Sequence, residues 1–139
     1  MRRASLALPI ILAGCAAAPV PPASTADPAV LTPPPGINQL IEGPIVAAPG
    51  HSLVLGDLNL APGTEIPRHR HRGEEFVYVL GGSTVLSRAG EPDITLVAGQ
   101  SLRIAPGTVH WGRAGPDGMR AISAWVKVDG QPLREAVPE

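Results

Sequence analysis

His69 and His71 stand one residue apart in Glu65-Ile-Pro-Arg-His-Arg-His-Arg72. In an extended chain successive side chains alternate faces, so both imidazoles lie on the same face of a strand. On a helix the same spacing would set them about 200° apart, and Pro67 argues further against helix. Arg68, Arg70 and Arg72 take the alternate positions and are expected to face outward, as one half of a surface ion-pair set with Glu65 and Glu74. The next run, Glu75-Phe-Val-Tyr-Val-Leu80, is β-branched and aromatic, as strands prefer. Alternation puts Glu75, Val77 and Val79 on one face and Phe76, Tyr78 and Leu80 on the other.

The same reading extends along the chain. Strands are expected near Ile45–Ala47, Ser52–Leu60, Glu65–His71, Glu75–Leu80, Ser83–Arg88, Asp93–Val97, Ser101–Ile104, Thr108–Arg113 and Met119–Val128. Pro62-Gly63, Gly81-Gly82 (a hairpin turn), Gly90-Glu-Pro92, Ala98-Gly99, Pro106-Gly107 and Gly115-Pro-Asp-Gly118 are expected as turns. Short strands at near-regular spacing, with no long helical period, predict an all-β sandwich or barrel. The chain has 139 residues, enough for one compact domain. Aromatic residues make up only 3%, so Val, Leu and Ile must build the core.

The spacing Gly63-x5-His69-x-His71-x3-Glu75-x6-Gly82, followed by Gly99-x7-Gly107-x2-His110, resembles the two motifs of the cupin superfamily. The resemblance covers about residues 37–128. It implies a double-stranded β-helix (jelly-roll) barrel, a single cupin domain in which His69, His71, Glu75 and His110 hold one divalent metal ion. Neutral imidazole and carboxylate suit iron or manganese first, with zinc or nickel also compatible. Four protein ligands on an octahedral ion leave two open positions, whereas a tetrahedral zinc would leave none. Two positions depart from the family pattern: its frequent proline has moved from Ala105 to Pro106, and its frequent asparagine is Ala114. Neither is a ligand. Single-domain members commonly pair through outer strands, so a homodimer is expected, aided by outward Phe76 and Tyr78.

The resemblance implies a small-molecule ligand, and three functions suit the ligand set. The first is a small mononuclear metal-dependent dioxygenase acting on an oxygen-rich molecule, with Glu75 as a catalytic base. The second is a non-catalytic periplasmic module that holds a metal or small ligand. The third is a sugar or keto-acid isomerase, weakened because no Tyr or Lys is placed as a separate acid or base. Trp111 is expected to pack on the barrel, with stacking on a ligand at its mouth as the alternative, and His51 to lie on the surface.

The first residues carry a different signal. Arg2-Arg3 precede an apolar run, Ala4–Leu12, too short to span a bilayer. The segment ends Leu12-Ala13-Gly14-Cys15, which resembles the lipobox of bacterial lipoprotein signal peptides. That resemblance implies cleavage of residues 1–14 and lipidation of Cys15, the sole cysteine. It also implies export to the periplasmic face, with Ala16 in the position that directs sorting to the outer membrane. Residues 15–36 are expected to be a tether: seven of residues 16–36 are proline, which favours extended polyproline II. Residues 129–139 read as a polar tail ending as a loop along the barrel. With the leader removed, 9 basic residues face 12 acidic ones, a net −3 that offers nothing to nucleic acid.

Overall fold

The computed structural model describes residues 33–139; the leader, Cys15 and the tether up to residue 32 lie outside the described residues. The described chain forms eight strands and no helix. They are β1 (Gly36–Pro44), β2 (His51–Leu60), β3 (Glu65–Arg70), β4 (Glu75–Arg88), β5 (Ile94–Val97), β6 (Ser101–Ile104), β7 (His110–Val128) and β8 (Glu135–Ala136). All pairings are antiparallel.

Two long strands organise the barrel. The first part of β4 pairs with β6 and with the second part of β7, which continues through β2 to β1. The second part of β4 pairs with β5 and with the start of β7, which continues through β3 to β8. The two halves share β4 and β7 and enclose one core, built from Val54, Leu58, Val77, Val79, Leu86, Ile104, Ala121 and Trp125 among others. This is the all-β jelly roll that the strand pattern and the resemblance predicted.

Two expected turns are absent. Gly81-Gly82 does not close a hairpin; β4 runs through it to Arg88, and its pairing with β7 shifts register between Val79 and Gly81 and between Gly82 and Thr84. Gly115-Pro-Asp-Gly118 lies inside β7, opposite that same irregularity. The consequence is a change of parity. The core-facing positions in β4 are odd before the irregularity (Glu75, Val77, Val79) and even after it (Thr84, Leu86), although Ser87 is also buried. In β7 they change from even (His110, Ala114) to odd (Met119, Ala121, Ser123, Trp125). Such irregularities bend a strand and increase its twist, which lets one strand serve both halves of a closed barrel.

The ends also differ from expectation. The first strand is Gly36–Pro44 rather than Ile45–Ala47; residues 45–50 form a turn in which Ala48 N–H donates to the Ile45 carbonyl at 2.9 Å. The tail is not merely a loop. It carries β8, whose Glu135 and Ala136 pair with Arg70 and His69 of β3. Two of the three arginines, Arg70 and Arg72, are held by this tail rather than by Glu65 and Glu74. Arg70 and Arg72 both donate to Glu135, at 2.9 and 2.6 Å, while Glu74 pairs with Arg103 and Glu65 with Arg113. Arg68 lies over the Trp111 ring, 4.5 Å from its centroid. Phe76, Tyr78 and Leu80 face outward, as alternation requires, and are about half exposed.

Candidate metal centre

Three strands deliver the four side chains. β3 carries His69 and leads directly into His71. Glu75 opens β4 and His110 opens β7. His69 and His110 are direct partners across the β3–β7 pairing, and their ring centroids lie 4.1 Å apart. The turn from His71 to Glu75 passes through Gly73, where an added Cβ would overlap the Val126 carbonyl oxygen. Glycine is what lets this turn press against β7. All four residues are buried, and one donor atom from each lies within 4.8 Å of the others. The sequence named these four, and the structure brings all of them together.

The surrounding bonds set which atoms face the centre. Nδ1 of His69 donates to the Pro67 carbonyl at 2.7 Å, Nδ1 of His71 to Leu133 at 2.6 Å and Nδ1 of His110 to Thr108 at 2.9 Å. A carbonyl can only accept, so each Nδ1 bears the proton and each neutral ring presents the Nε2 lone pair. Glu75 is oriented too: its Oε1 accepts from Ser123 Oγ at 3.0 Å. Its Oε2 then lies 3.1 Å from His71 Nε2 and 3.2 Å from His110 Nε2. His71 Nε2 and Glu75 Oε2 have no hydrogen-bond partner although fully buried. Lone pairs facing one another at this range repel unless a cation lies among them. The donor set and its orphaned atoms therefore fit a divalent metal, with the carbonyl-anchored rings typical of metal-binding histidines. One dication, one carboxylate and three neutral rings sum to about +1.

The electrostatics agree. Burial alone would raise the Glu75 carboxyl, but hydrogen bonds and positive charge from His110 and His71, when those rings carry a second proton, outweigh it and hold Glu75 well below the usual carboxylate range; a bound cation takes over that role when both rings are neutral. Burial, then repulsion from His110, pushes His69 down to about 4 against its bond to Pro67, so it is neutral at pH 7. This has a measurable consequence. A histidine depressed from 6.5 to about 4 binds its proton in the unfolded chain first. The metal-free fold is then fully stable above pH 6.5 and loses stability as pH falls from 6.5 to 4, by on the order of 3 kcal/mol from this group. Glu75 adds to this loss only at the acid end of the window, because its own contribution starts to fall as the unfolded carboxyl takes up its proton near 4.5. Urea denaturation at pH 7 and pH 4.5 checks this; equal midpoints would show that His69 titrates normally.

A cavity of about 280 Å³ adjoins the four donors. Its walls are mostly apolar and come from both barrel halves, including Leu58, Ile66, Val77, Leu86, Leu96 and Met119. Trp125, Leu133 and Arg134 also line it. Sequence reasoning missed these three, and Ser123. Ser123 had a signal, since it alternates with Ala121 and Trp125 in an otherwise apolar run. Leu133 acts through a backbone carbonyl, which leaves no trace in side-chain pattern. Trp111 does not line this cavity; it packs outside against Arg68, the packing role expected for it. His51 begins β2 at the surface, away from the donors.

Comparison with known proteins places this geometry. No curated protein sequence matches the chain significantly. Among solved structures, a cupin-like protein from Thermotoga maritima is 23% identical with a TM-score of 0.59, over 74% of this chain and 75% of that one. A DMSP lyase from Ruegeria pomeroyi is 20% identical with a TM-score of 0.53, over 65% of this chain. Bacillus subtilis oxalate decarboxylase is 19% identical with a TM-score of 0.53, over 57% of this chain. The alignments span only 44% of the lyase and 22% of the decarboxylase, so these likenesses establish the fold alone. The cupin domain model matches residues 56–125, just over half of the 139 residues and a span that includes all four donors. With this match, the barrel and its three-histidine, one-glutamate cluster, the chain belongs to the cupin superfamily.

Proposed function

We propose that this cupin is a mononuclear metal-dependent enzyme of the dioxygenase type, acting on a small oxygen-bearing molecule. The observation that carries this reading is the cavity beside the donor cluster. A purely structural zinc is closed by its four ligands and needs no chamber next to it. Iron or manganese bound here would supply Lewis-acid and one-electron chemistry.

The chain's own residues have separable tasks. His69, His71 and His110 present fixed Nε2 lone pairs, and their carbonyl partners keep the rings from turning. Ser123 holds one oxygen of Glu75 and leaves the other facing the centre. Glu75 is the catalytic base of this proposal only when its Oε2 leaves the metal: Oε1 stays held by Ser123 and the released Oε2 can take a proton from a substrate. The apolar walls keep bulk water from the reacting atoms. No Tyr or Lys lines the cavity, so a proton-shuttling isomerase lacks a second acid or base. The lipobox-like Leu12-Ala13-Gly14-Cys15 supports a lipid anchor on Cys15 at the periplasmic face of the outer membrane.

Elemental analysis of protein purified without added metal, followed by oxygen uptake with β-diketones and flavonols, tests the enzyme reading. Iron or manganese with substrate-dependent uptake is expected. Tightly held zinc, no uptake and a retained small molecule would establish a binding module instead.

A further inference from the structure

Two hydrogen-bond donors in the lining of the cavity beside the donor cluster have no carboxylate partner among the described residues, and they lie on different elements. Trp125 of β7 is 5% exposed, lines the cavity, and its buried Nε1 has no acceptor. A buried indole N–H without a partner carries a desolvation cost that a ligand oxygen would relieve. Arg134 of the C-terminal segment also lines the cavity. One of its nitrogens, Nη2, donates to the Pro67 carbonyl at 3.1 Å. No carboxylate pairs with it among the described residues. Every other described lysine or arginine either has a carboxylate partner or, like Arg68, lies on an aromatic ring.

The remaining lining donors are already committed. Thr84 Oγ1 donates to the Arg113 carbonyl at 3.1 Å, and Gln39 Nε2 donates to Glu42 at 3.0 Å. Among the described residues Glu75 is the only carboxylate in the lining, and it belongs to the donor cluster. With a divalent ion in place the donor cluster carries about +1, and the exposed, solvent-screened Arg134 guanidinium adds a second positive charge to the lining. A polyhydroxylated sugar would find only the Gln39 and Thr84 side-chain oxygens to accept its many hydroxyl donors, apart from Glu75. A neutral hydrocarbon would leave the excess charge and both donors unanswered.

We infer that the site selects a compact monoanion, a carboxylate or enolate with an apolar body, whose oxygens are anchored by the Arg134 guanidinium and the Trp125 indole N–H. This rests on the enzyme reading above for what happens to the ligand, but not for its capture. Arg134 sets the charge preference and Trp125 supplies a donor that serves any ligand carbonyl. The C-terminal segment is thus part of the binding site: the residue before Arg134 fixes His71, and the residue after it clamps Arg70 and Arg72.

The test is calorimetric titration of manganese-loaded protein with hexanoate and its neutral counterpart hexanamide, in wild type, Arg134→Gln and Trp125→Phe. Wild type is expected to favour hexanoate. Arg134→Gln should weaken hexanoate by about five- to tenfold, the range for a partly exposed ionic anchor, and leave hexanamide unchanged. Trp125→Phe should weaken both ligands by a similar factor, because both carry a carbonyl oxygen. A hexanoate-to-hexanamide ratio that survives Arg134→Gln overturns the inference. Arg134 is exposed, so folding of that variant is not at risk. Metal content measured on the same samples separates the two readings. If manganese does not load, the metal centre fails, and the same titrations on metal-free protein still decide the anchor by whether the preference depends on Arg134.

Discussion

His69→Ala is expected to strip most of the metal from the protein. His69 is buried, its ring is fixed by Pro67, and it lies directly across from His110 in the β3–β7 pairing. Losing a partner that merely orients a ligand typically costs metal affinity about 10- to 100-fold, so losing the ligand itself should cost about a hundredfold or more. Metal per chain after dialysis, by elemental analysis, is the measurement. A second readout uses the metal-free protein. Because burial depresses the His69 pKa, the alanine variant should also lose part of the acid sensitivity between pH 6.5 and 4. Glu75→Gln keeps the shape and removes the charge, and it too should lose metal. Unchanged stoichiometry in both variants would place the metal elsewhere and end the assignment of this centre.

That His69, His71 and Glu75 could be grouped from sequence follows from their locality, whereas His110 was legible only through the resemblance to the second cupin motif. His69 and His71 share a strand face by alternation, and Glu75 opens the next strand on the inward parity. These are short-range facts, and the structure keeps them. What failed was long-range. Gly81-Gly82 and Gly115–Gly118 carry ordinary turn chemistry, but whether glycine makes a turn or a bend depends on the strand opposite, and here each irregularity lies opposite the other. Parity counted through them goes wrong. Trp111 and Trp125 are both odd-numbered residues of β7, yet the first lies outside and the second lines the cavity, because the inward parity changes between Ala114 and Met119. The tail was illegible for a similar reason. Glu135 and the Leu133 carbonyl act on residues more than sixty positions earlier, and a polar, proline-bearing segment does not announce its partners.

The bend itself can be tested with one methyl group. Gly82 has φ +65°, and a Cβ there would overlap the Gly118 carbonyl oxygen on β7. Gly82→Ala therefore incurs both a left-handed backbone penalty and a backbone collision that no side-chain rotation relieves. Together these should destabilise the fold by about 3 kcal/mol, or roughly 10–20 °C in Tm for a domain of this size. Gly81→Ala is the matched control. Its Cβ would meet only the Arg120 Cβ at 3.8 Å, an ordinary contact, and its φ is not positive. It should cost less than about 1 kcal/mol. In a two-residue type I′ hairpin turn both central glycines take positive φ, so the two substitutions would respond alike. A strand bent at Gly82 against Gly118 cannot relax without separating β4 from β7, the pair that both halves of the barrel share. Thermal melts of the two variants side by side distinguish these cases, and equal Tm values would return Gly81-Gly82 to a loop.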